Sequence, residues 1–383
     1  MLFIDNFKKS AISIYRRGLR KDVVSLYSPI NSDSNILLSY ITRPFQIDPE
    51  SAEFSSHTNK WECIQIAQTW IDHGYNVDII DYDNDYFKPK KEYSFFIDIH
   101  SNMERLAPLL GNNCKKILHI TGAYWEFQNS AEKMRLSSLK ERRGFNLIPR
   151  SQVPQSRGIE FADCATILGN EFTKGTFSKF RKKLYEIPLS TTVEYPFFEK
   201  DFNQINKNYL WFGSSSMVHK GLDLVLDLFR EMPDYNLTVC GNIKKEKDFE
   251  KAYHEELYCL PNIRTLDFVD VRSDLFMDVI KNTTALIFPS CSEGQSGCVV
   301  TCMHAGLIPI VSYESGVNVS SEFGMVLKEN TIDEMLLSIQ KLSQNPTDEL
   351  QRMSKEAWLY ARTHHTRENF SRCYNNFVDR LIK

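Results

Sequence analysis

Two periods of apolar residues alternate along this chain. Short apolar runs bounded by polar turns read as strands, and longer stretches with an apolar residue every three or four positions read as helices. The first run, 35–41 (NILLSYI), predicts a strand. Residues 59–73 carry Trp61, Ile64, Ala67 and Ile71 at helical spacing, and Gly74 is placed to end that helix. Strands are predicted at 76–82, 94–100, 116–121 and 165–169, with a helix near 171–181 and a closing run at 184–189. After 190–207 the grammar resumes with strand 208–213, helix 220–231, strand 236–241 and a charged helix near 246–257. Strand 263–268, a helix near 272–282, strand 284–288, a helix near 297–305 and strand 308–312 follow. A last helix, about 367–382, carries Phe370, Tyr374, Phe377 and Leu381 on one side.

Strand–helix alternation of this kind implies parallel sheets covered by helices on both faces. The expected fold class is α/β, with two Rossmann-like domains facing across a cleft. The join falls near 190–207, so the expected domains are 1–195 and 196–366, followed by the helix 367–383. Ligands in such sheets bind at the carboxyl ends of the strands.

Composition changes this picture little. A length of 383 residues suits two domains and a core that needs neither disulfides nor a metal. The formal net charge of −3 gives no overall pull toward nucleic acid or membrane. The nine cysteines are odd in number, and their spacing fits no zinc or redox motif; they read as buried reduced thiols of a cytoplasmic protein. No apolar run approaches the ~18–20 residues of a membrane span. Charges interrupt every apolar stretch of the first residues, so no signal peptide is expected.

Two segments carry candidate chemistry. In the first, strand 208–213 ends at Gly213, Ser214, Ser215 and Ser216 follow, and Lys220-Gly221 opens a helix. Gly213 permits close approach of backbone to a ligand, the serines offer donors, and Lys220 offers an ammonium near a helix start. An ordinary βα turn with a solvated lysine accounts for this segment equally well. The second is Pro289-Ser290-Cys291-Ser292-Glu293-Gly294-Gln295-Ser296-Gly297, between an apolar strand and an apolar helix. Its glycines and the helix start offer backbone N–H groups to an anion or a hydroxyl-rich ligand. Glu293 either complements the helix dipole or accepts from two adjacent sugar hydroxyls.

Together the segments resemble the donor site of glycosyltransferase family 4, retaining enzymes of the two-domain GT-B architecture within the glycosyl transferases group 1. The matching residues are Gly213, Lys220-Gly221, Pro289-Ser290, Glu293-Gly294 and Gly306-Leu307-Ile308-Pro309-Ile310-Val311, spread over about 208–330. The resemblance implies transfer of a sugar from a nucleoside-diphosphate sugar to a glycan or lipid-linked acceptor hydroxyl, as in surface polysaccharide or lipopolysaccharide synthesis. It implies no metal and no cofactor beyond the sugar nucleotide as co-substrate. It makes the first domain acceptor-binding and the second donor-binding, with the last helix packing back on the first. It places Lys220 on the diphosphate, Glu293 on the sugar, and Gly213, Ser214, Ser215, Gly294, Gln295, Ser296 and Gly297 around the donor. The family's second glutamate, eight positions after the first, is Thr301 here, and Ser214 and Ser215 stand where an arginine is frequent. In the first domain the usual Gly-Gly loop is replaced by Ser55, Ser56 and His57. The family's strand-end histidine has its nearest counterparts in His119, proposed as catalytic, and in Thr121 or His100; Glu126 and Asp98 are candidate cleft carboxylates. A lone strand histidine is more often a core residue.

Three basic groups remain. Lys8, Lys9, Arg16, Arg17, Arg20 and Lys21 lie among apolar residues, a pattern suited to peripheral contact with the inner face of a membrane. Lys140, Arg142 and Arg143, and Lys179, Arg181, Lys182 and Lys183, read as solvated helix faces. None is interleaved with aromatics as single-strand nucleic-acid binding requires, so no nucleic-acid partner is expected. A nucleotide-sugar epimerase of the same architecture and a non-catalytic nucleotide- or carbohydrate-binding protein are the alternatives. An epimerase would convert the sugar nucleotide without an acceptor; a binding protein would hold it unchanged.

Overall fold

The computed structural model describes residues 23–29 and 33–383. The basic group Lys8 to Lys21, with the membrane contact expected from it, lies outside the described residues. Strands β1 (Val24–Leu26), β2 (Asn35–Tyr40), β3 (Asn76–Asp81), β4 (Phe95–Asp98), β5 (Lys115–Ile120), β6 (Cys164–Ile167) and β7 (Lys183–Glu186) form one sheet in the order β1-β3-β2-β4-β5-β6-β7. Strands β8 (Asn208–Phe212), β9 (Asn236–Cys240), β10 (Ile263–Leu266), β11 (Ala285–Phe288), β12 (Ile308–Ser312) and β13 (Met325–Leu327) form the other in the order β10-β9-β8-β11-β12-β13. Pairing is parallel except for the edge strand β1, which runs antiparallel to β3. The strand order reverses beside β2 and beside β8, which opens a crevice at the carboxyl ends of each.

These strands are apolar on both faces because both faces are covered. In β2, Ile36, Leu38 and Tyr40 face one core and Leu37 the opposite one. In β8, Leu210 faces one core, while Tyr209 and Trp211 face the other. One core cluster runs without interruption from Ile36 through Leu210 to Phe370, so the two sheets share apolar packing. The helix Arg367–Ile382 buries Phe370, Tyr374, Phe377 and Val378. It lies on the helix Thr58–Asp72, where Trp61 meets Phe370 edge-on at 5.7 Å and Trp70 Nε1 donates to the Tyr374 hydroxyl at 3.4 Å. In the linker, Lys200 Nζ is buried and donates to Thr283 O (2.9 Å) and Gly306 O (3.2 Å).

The helix expected over 171–181 spans only Glu171–Thr176, and that expected over 246–257 is broken at Tyr253, between Lys247–Ala252 and His254–Tyr258. The buried Tyr253 ring stacks on Phe249 (4.9 Å) and lies under the Arg143 guanidinium (4.7 Å). The cysteines carry no disulfide; Cys259 is exposed, against the expectation that they are buried. No helix among the described residues is long and apolar enough to cross a membrane.

The helix Trp125–Arg143 is absent from the apolar pattern. Its buried positions are Glu132, Arg135 and Leu139, so it has no apolar stripe to detect. It starts against the first sheet, where Tyr124 packs edge-on to Phe177 at 5.4 Å. At ~1.5 Å per residue it runs for nearly 30 Å, and its far end enters the second domain. There Leu139 is fully buried in the cluster that holds Trp211 and Leu222. Gly144, left-handed at φ 75°, ends the helix. The chain then returns along the helix: Arg150 N and Ser151 N each donate to Glu132 Oε1 at 2.8 Å, and Val153 N donates to Asn129 Oδ1 at 2.9 Å.

Charge fastens this bridging helix to the second domain. Arg142 donates to Asp223 Oδ2 at 2.6 Å and also pairs with Asp227. Arg143 pairs with Asp227 at 3.2 Å and with Glu256. Arg150, in the return segment, pairs with Asp248 at 2.5 Å. Arg142 and Arg143 are therefore not a solvated basic face; only Lys140 of that group is exposed. Two losses of stability are expected in urea unfolding. Leu139→Ala should cost about 2–5 kcal/mol through the cavity it leaves. Arg142→Ala should cost about 3–5 kcal/mol, because it removes the hydrogen-bonded partner of the fully buried Asp223 carboxylate. Changes below about 1 kcal/mol in both would mean that the helix end carries no stability.

Candidate active site in the interdomain cleft

The carboxyl ends of both sheets open on one cavity of about 730 Å³. The first domain contributes Tyr40 at the end of β2, Ile99 after β4, Thr121 after β5 and Leu168 after β6. The second contributes Gly213 after β8, Gly241 after β9, Phe268 to Arg272 after β10 and Glu293 after β11.

Lys220 and Glu293, 73 positions apart in the chain, meet here: Lys220 Nζ donates to Glu293 Oε1 at 2.6 Å, with the side chains 15% and 18% exposed. Ser290 Oγ also donates to Glu293 Oε1, at 3.1 Å. Burial alone would raise the Glu293 carboxyl and lower the Lys220 ammonium. Their mutual attraction outweighs it, with His219 adding to the pull on Glu293, so Glu293 lies below the ordinary carboxylate range and Lys220 above the ordinary lysine value.

The two segments are tied together through His219. Its ring Nε2 lies 2.5 Å from Ser292 O, and its carbonyl accepts from Cys291 N at 2.9 Å. Glu246 holds the start of the first loop by accepting from Ser216 N and from Met217 N (3.3 Å), where Ser216 takes the left-handed φ of 63°. Gly221, also left-handed, admits no side chain: a Cβ would stand 2.5 Å from Pro289 O.

The first domain shapes the second loop directly. A Cβ on Gly294 would fall 2.2 Å from Thr121 O, so only glycine lets the two backbones meet. Thr173 Oγ1 donates to Gly294 O at 3.0 Å, and Leu189 N donates to Gln295 Oε1 at 2.7 Å. Beyond them the helix Gly297–His304 points its N-terminus at the cavity. Ser296 makes no side-chain cap there and the first turn holds no acidic residue, so its N–H groups and dipole favour an anion.

Gly213, Ser214, Lys220, Glu293, Gly294, Gln295, Ser296, Gly297 and Thr301 all line the cavity. Ser215 does not; it is exposed beyond the rim. Nor does His119, the expected catalytic histidine. Its ring is fully buried, Nδ1 bonds Thr166 Oγ1 at 2.7 Å, and burial lowers its pKa to about 4. His119 lies within β5, enclosed by the sheet's packing, while Thr121, just past the strand's carboxyl end, reaches the cavity. His100 lines an adjoining chamber of about 270 Å³ with Trp125 and Gln128; the chamber shares Ile99 and Thr121 with the main cavity. Asp98 is buried and accepts from Met103 N at 2.7 Å, and Glu126 pairs with Lys179 on the surface; neither lines the cavity.

Phe268 to Arg272 and Glu62 are among the lining residues that escape the sequence reading. Phe268 to Arg272 carry no motif, and only their place after β10 signals them. Glu62 sits on an apolar helix and is buried. Its Oε1 accepts from Ser190 N (2.9 Å) and Ser190 Oγ (2.7 Å), yet burial raises its pKa to about 7.

Residues 197–358 match the family described as Glycosyl transferases group 1. A search among curated proteins returns no match. Among solved structures, the sucrose-phosphate synthase of Thermosynechococcus elongatus superposes with a TM-score of 0.60 at 11% identity, over 91% of this chain and 99% of that one. HepE of Anabaena, in complex with UDP and glucose, gives 0.53 at 12% identity, over 91% and 99%. TarM of S. aureus gives 0.51 at 12% identity; this chain covers 54% of it, about half its length, and 74% of this chain is matched.

A carboxyl whose pKa rises on folding contributes stability that is fully present below its unfolded value and is lost as pH rises through the folded one. For Glu62 that window runs from 4.5 to about 7. Wild type should therefore lose roughly 3 kcal/mol more than Glu62→Gln between the two ends of the window. Urea unfolding at both pH values checks this; parallel losses would show that Glu62 does not titrate in this range. Taken with the parallel sheets and their shared cavity, these matches make residues 197–358 a glycosyl transferases group 1 domain set in a GT-B fold.

Proposed function

We propose that this protein is a glycosyltransferase that moves a sugar from a nucleoside-diphosphate sugar to the hydroxyl of a glycan or lipid-linked acceptor. The observation that carries the reading is the Lys220–Glu293 pair at the floor of a cavity built from the carboxyl ends of both sheets. Each partner suits a different part of the donor. The ammonium is matched to a diphosphate, whose negative charge grows as the glycosidic bond breaks. The carboxylate is matched to neighbouring sugar hydroxyls. On donor binding Lys220 exchanges part of its bond to Glu293 for phosphate oxygens, and Glu293 is freed to accept from the sugar. The N-terminus of the helix Gly297–His304 adds backbone donors on the same side.

Phe268 to Arg272 and Gly241 form the wall on which the nucleotide lies, and Gly213 keeps the floor open to the ribose and phosphates. The acceptor enters along the first-domain wall, past Tyr40, Thr121 and the stretch Ser55 to Asn59. Enclosure between two domains keeps water from the breaking bond and so favours transfer over hydrolysis. The group 1 resemblance supports retention of anomeric configuration and membership of glycosyltransferase family 4. The lysine and the helix N-terminus take over the charge neutralisation that a divalent cation supplies elsewhere, which supports a metal-independent reaction. A role in polysaccharide synthesis at the inner face of a membrane, with the basic segment Lys8 to Lys21 as the contact, follows from the same reading.

Thermal shift against a panel of nucleoside-diphosphate sugars identifies the donor, since a ligand at 100 times its Kd adds ~2.7 kcal/mol. With that donor, Lys220→Ala should lower turnover by about ten- to a hundredfold, the loss of a charged hydrogen bond of ~1.5–3 kcal/mol. Glu293→Ala should weaken sugar-dependent binding while leaving the affinity for the nucleoside diphosphate within a few-fold. Unchanged turnover in both folded variants would overturn the assignment.

A further inference from the structure

The bridging helix brings one side chain to the back of the cavity wall. Arg135 is 91% shielded from solvent and comes from the first domain, yet its guanidinium lies against both loops of the second that supply the ion pair. Its NH2 group donates to Pro289 O at 3.1 Å, four residues before Glu293. Its NH1 group would stand 3.0 Å from a Cβ on Gly221, the residue after Lys220. Pro289 O has one further donor, Asn330 Nδ2, at the longer distance of 3.4 Å. The opposing charge in the second domain is Asp223, whose carboxyl burial raises while Arg135 and Arg142 pull against that rise. Leu139, Arg142 and Arg143 keep the helix from sliding, one turn and two turns farther on.

We propose that Arg135 is a positioning residue, which holds the loop 289–293 in the shape that presents Glu293 to Lys220, and that the bridging helix is the element through which the first domain sets this shape. Arg135 touches neither cavity nor donor; it acts through the Pro289 carbonyl. The functional consequence rests on the donor-site reading above, but the geometry of the loop does not.

Hydrogen exchange of the full chain, read by mass spectrometry without any ligand, tests the proposal. The Cys291 amide, bonded to His219 O, and the Ser296 amide, bonded to Ser315 O, report on the loop. In Arg135→Met both should exchange about tenfold faster, with β2 and the helix Thr58–Asp72 unchanged. Arg135→Lys keeps a donor for Pro289 O and should restore most of the protection. Protection in Arg135→Met equal to wild type would overturn the proposal. So would acceleration spread evenly over β8, β9 and β11, or a lysine variant no better than methionine, since either would make Arg135 a general stability residue. An inactive donor assignment would appear instead as Lys220→Ala and Glu293→Ala variants with undiminished turnover, and would leave these exchange rates where they are.

Discussion

A lysine and a glutamate held 2.6 Å apart in a wall that leaves each less than a fifth exposed impose conditions on everything around them. Neither charge is stable there without the other, and the pair is stable only if its backbone supports do not move. The supports come from four places. His219 fastens the lysine loop to the glutamate loop, Ser290 shares the carboxylate, Glu246 pins the left-handed turn at Ser216, and Arg135 reaches the Pro289 carbonyl from the other domain. The unusual backbone features of the region belong to the same requirement: glycine at 221 and at 294 lets two turns and two domains approach more closely than any side chain permits.

Because those supports cross the domain boundary, the cavity is a property of both halves together. Gly294 lies on the Thr121 backbone, Thr173 bonds the Gly294 carbonyl and Leu189 the Gln295 side chain, and the bridging helix packs Leu139 into the second core while its arginines neutralise Asp223, Asp227 and Glu256. Buried acids in the second domain thus have their counter-charges in the first. A surface so arranged opposes separation of the domains, since it would cost Asp223, Asp227 and Glu256 their charge partners on the bridging helix. It also makes the loops that carry Lys220 and Glu293 responsive to the position of the first domain.

Most strands of both sheets were legible in the chain because they are buried on both faces and read as continuous apolar runs. Strands β1 and β13, three residues each, are too short to register, and β1 is antiparallel where the alternation pointed to parallel pairing. The bridging helix was hidden for the opposite reason: its buried face carries Glu132 and Arg135, bonded to Arg150 N, Ser151 N and Pro289 O, so its burial is polar and leaves no apolar period. The paired basic residues Arg142 and Arg143 looked like a solvated face for the same reason; their acidic partners lie 80 and more positions away.

Within the cavity, the chain itself identified Gly213, Lys220 and the stretch Glu293 to Gly297, since glycine at a strand end and polar residues before a helix have local consequences that spacing reveals. It did not separate His119 from Thr121. Two positions along a strand and the turn after it decide between the sheet's interior and the cavity, and only the packed sheet shows which side faces which. Nor did it mark Glu62, whose helix reads as ordinary and whose pKa is raised by burial against the lowering pull of its hydrogen bonds from Ser190, 128 positions on. What the sequence determined alone is what local pattern encodes: strands, helices, the two loops and the lysine and glutamate on them. Which groups share a charge, which carbonyl an arginine reaches, and which histidine is enclosed depend on contacts between distant segments, and only the tertiary structure decides those.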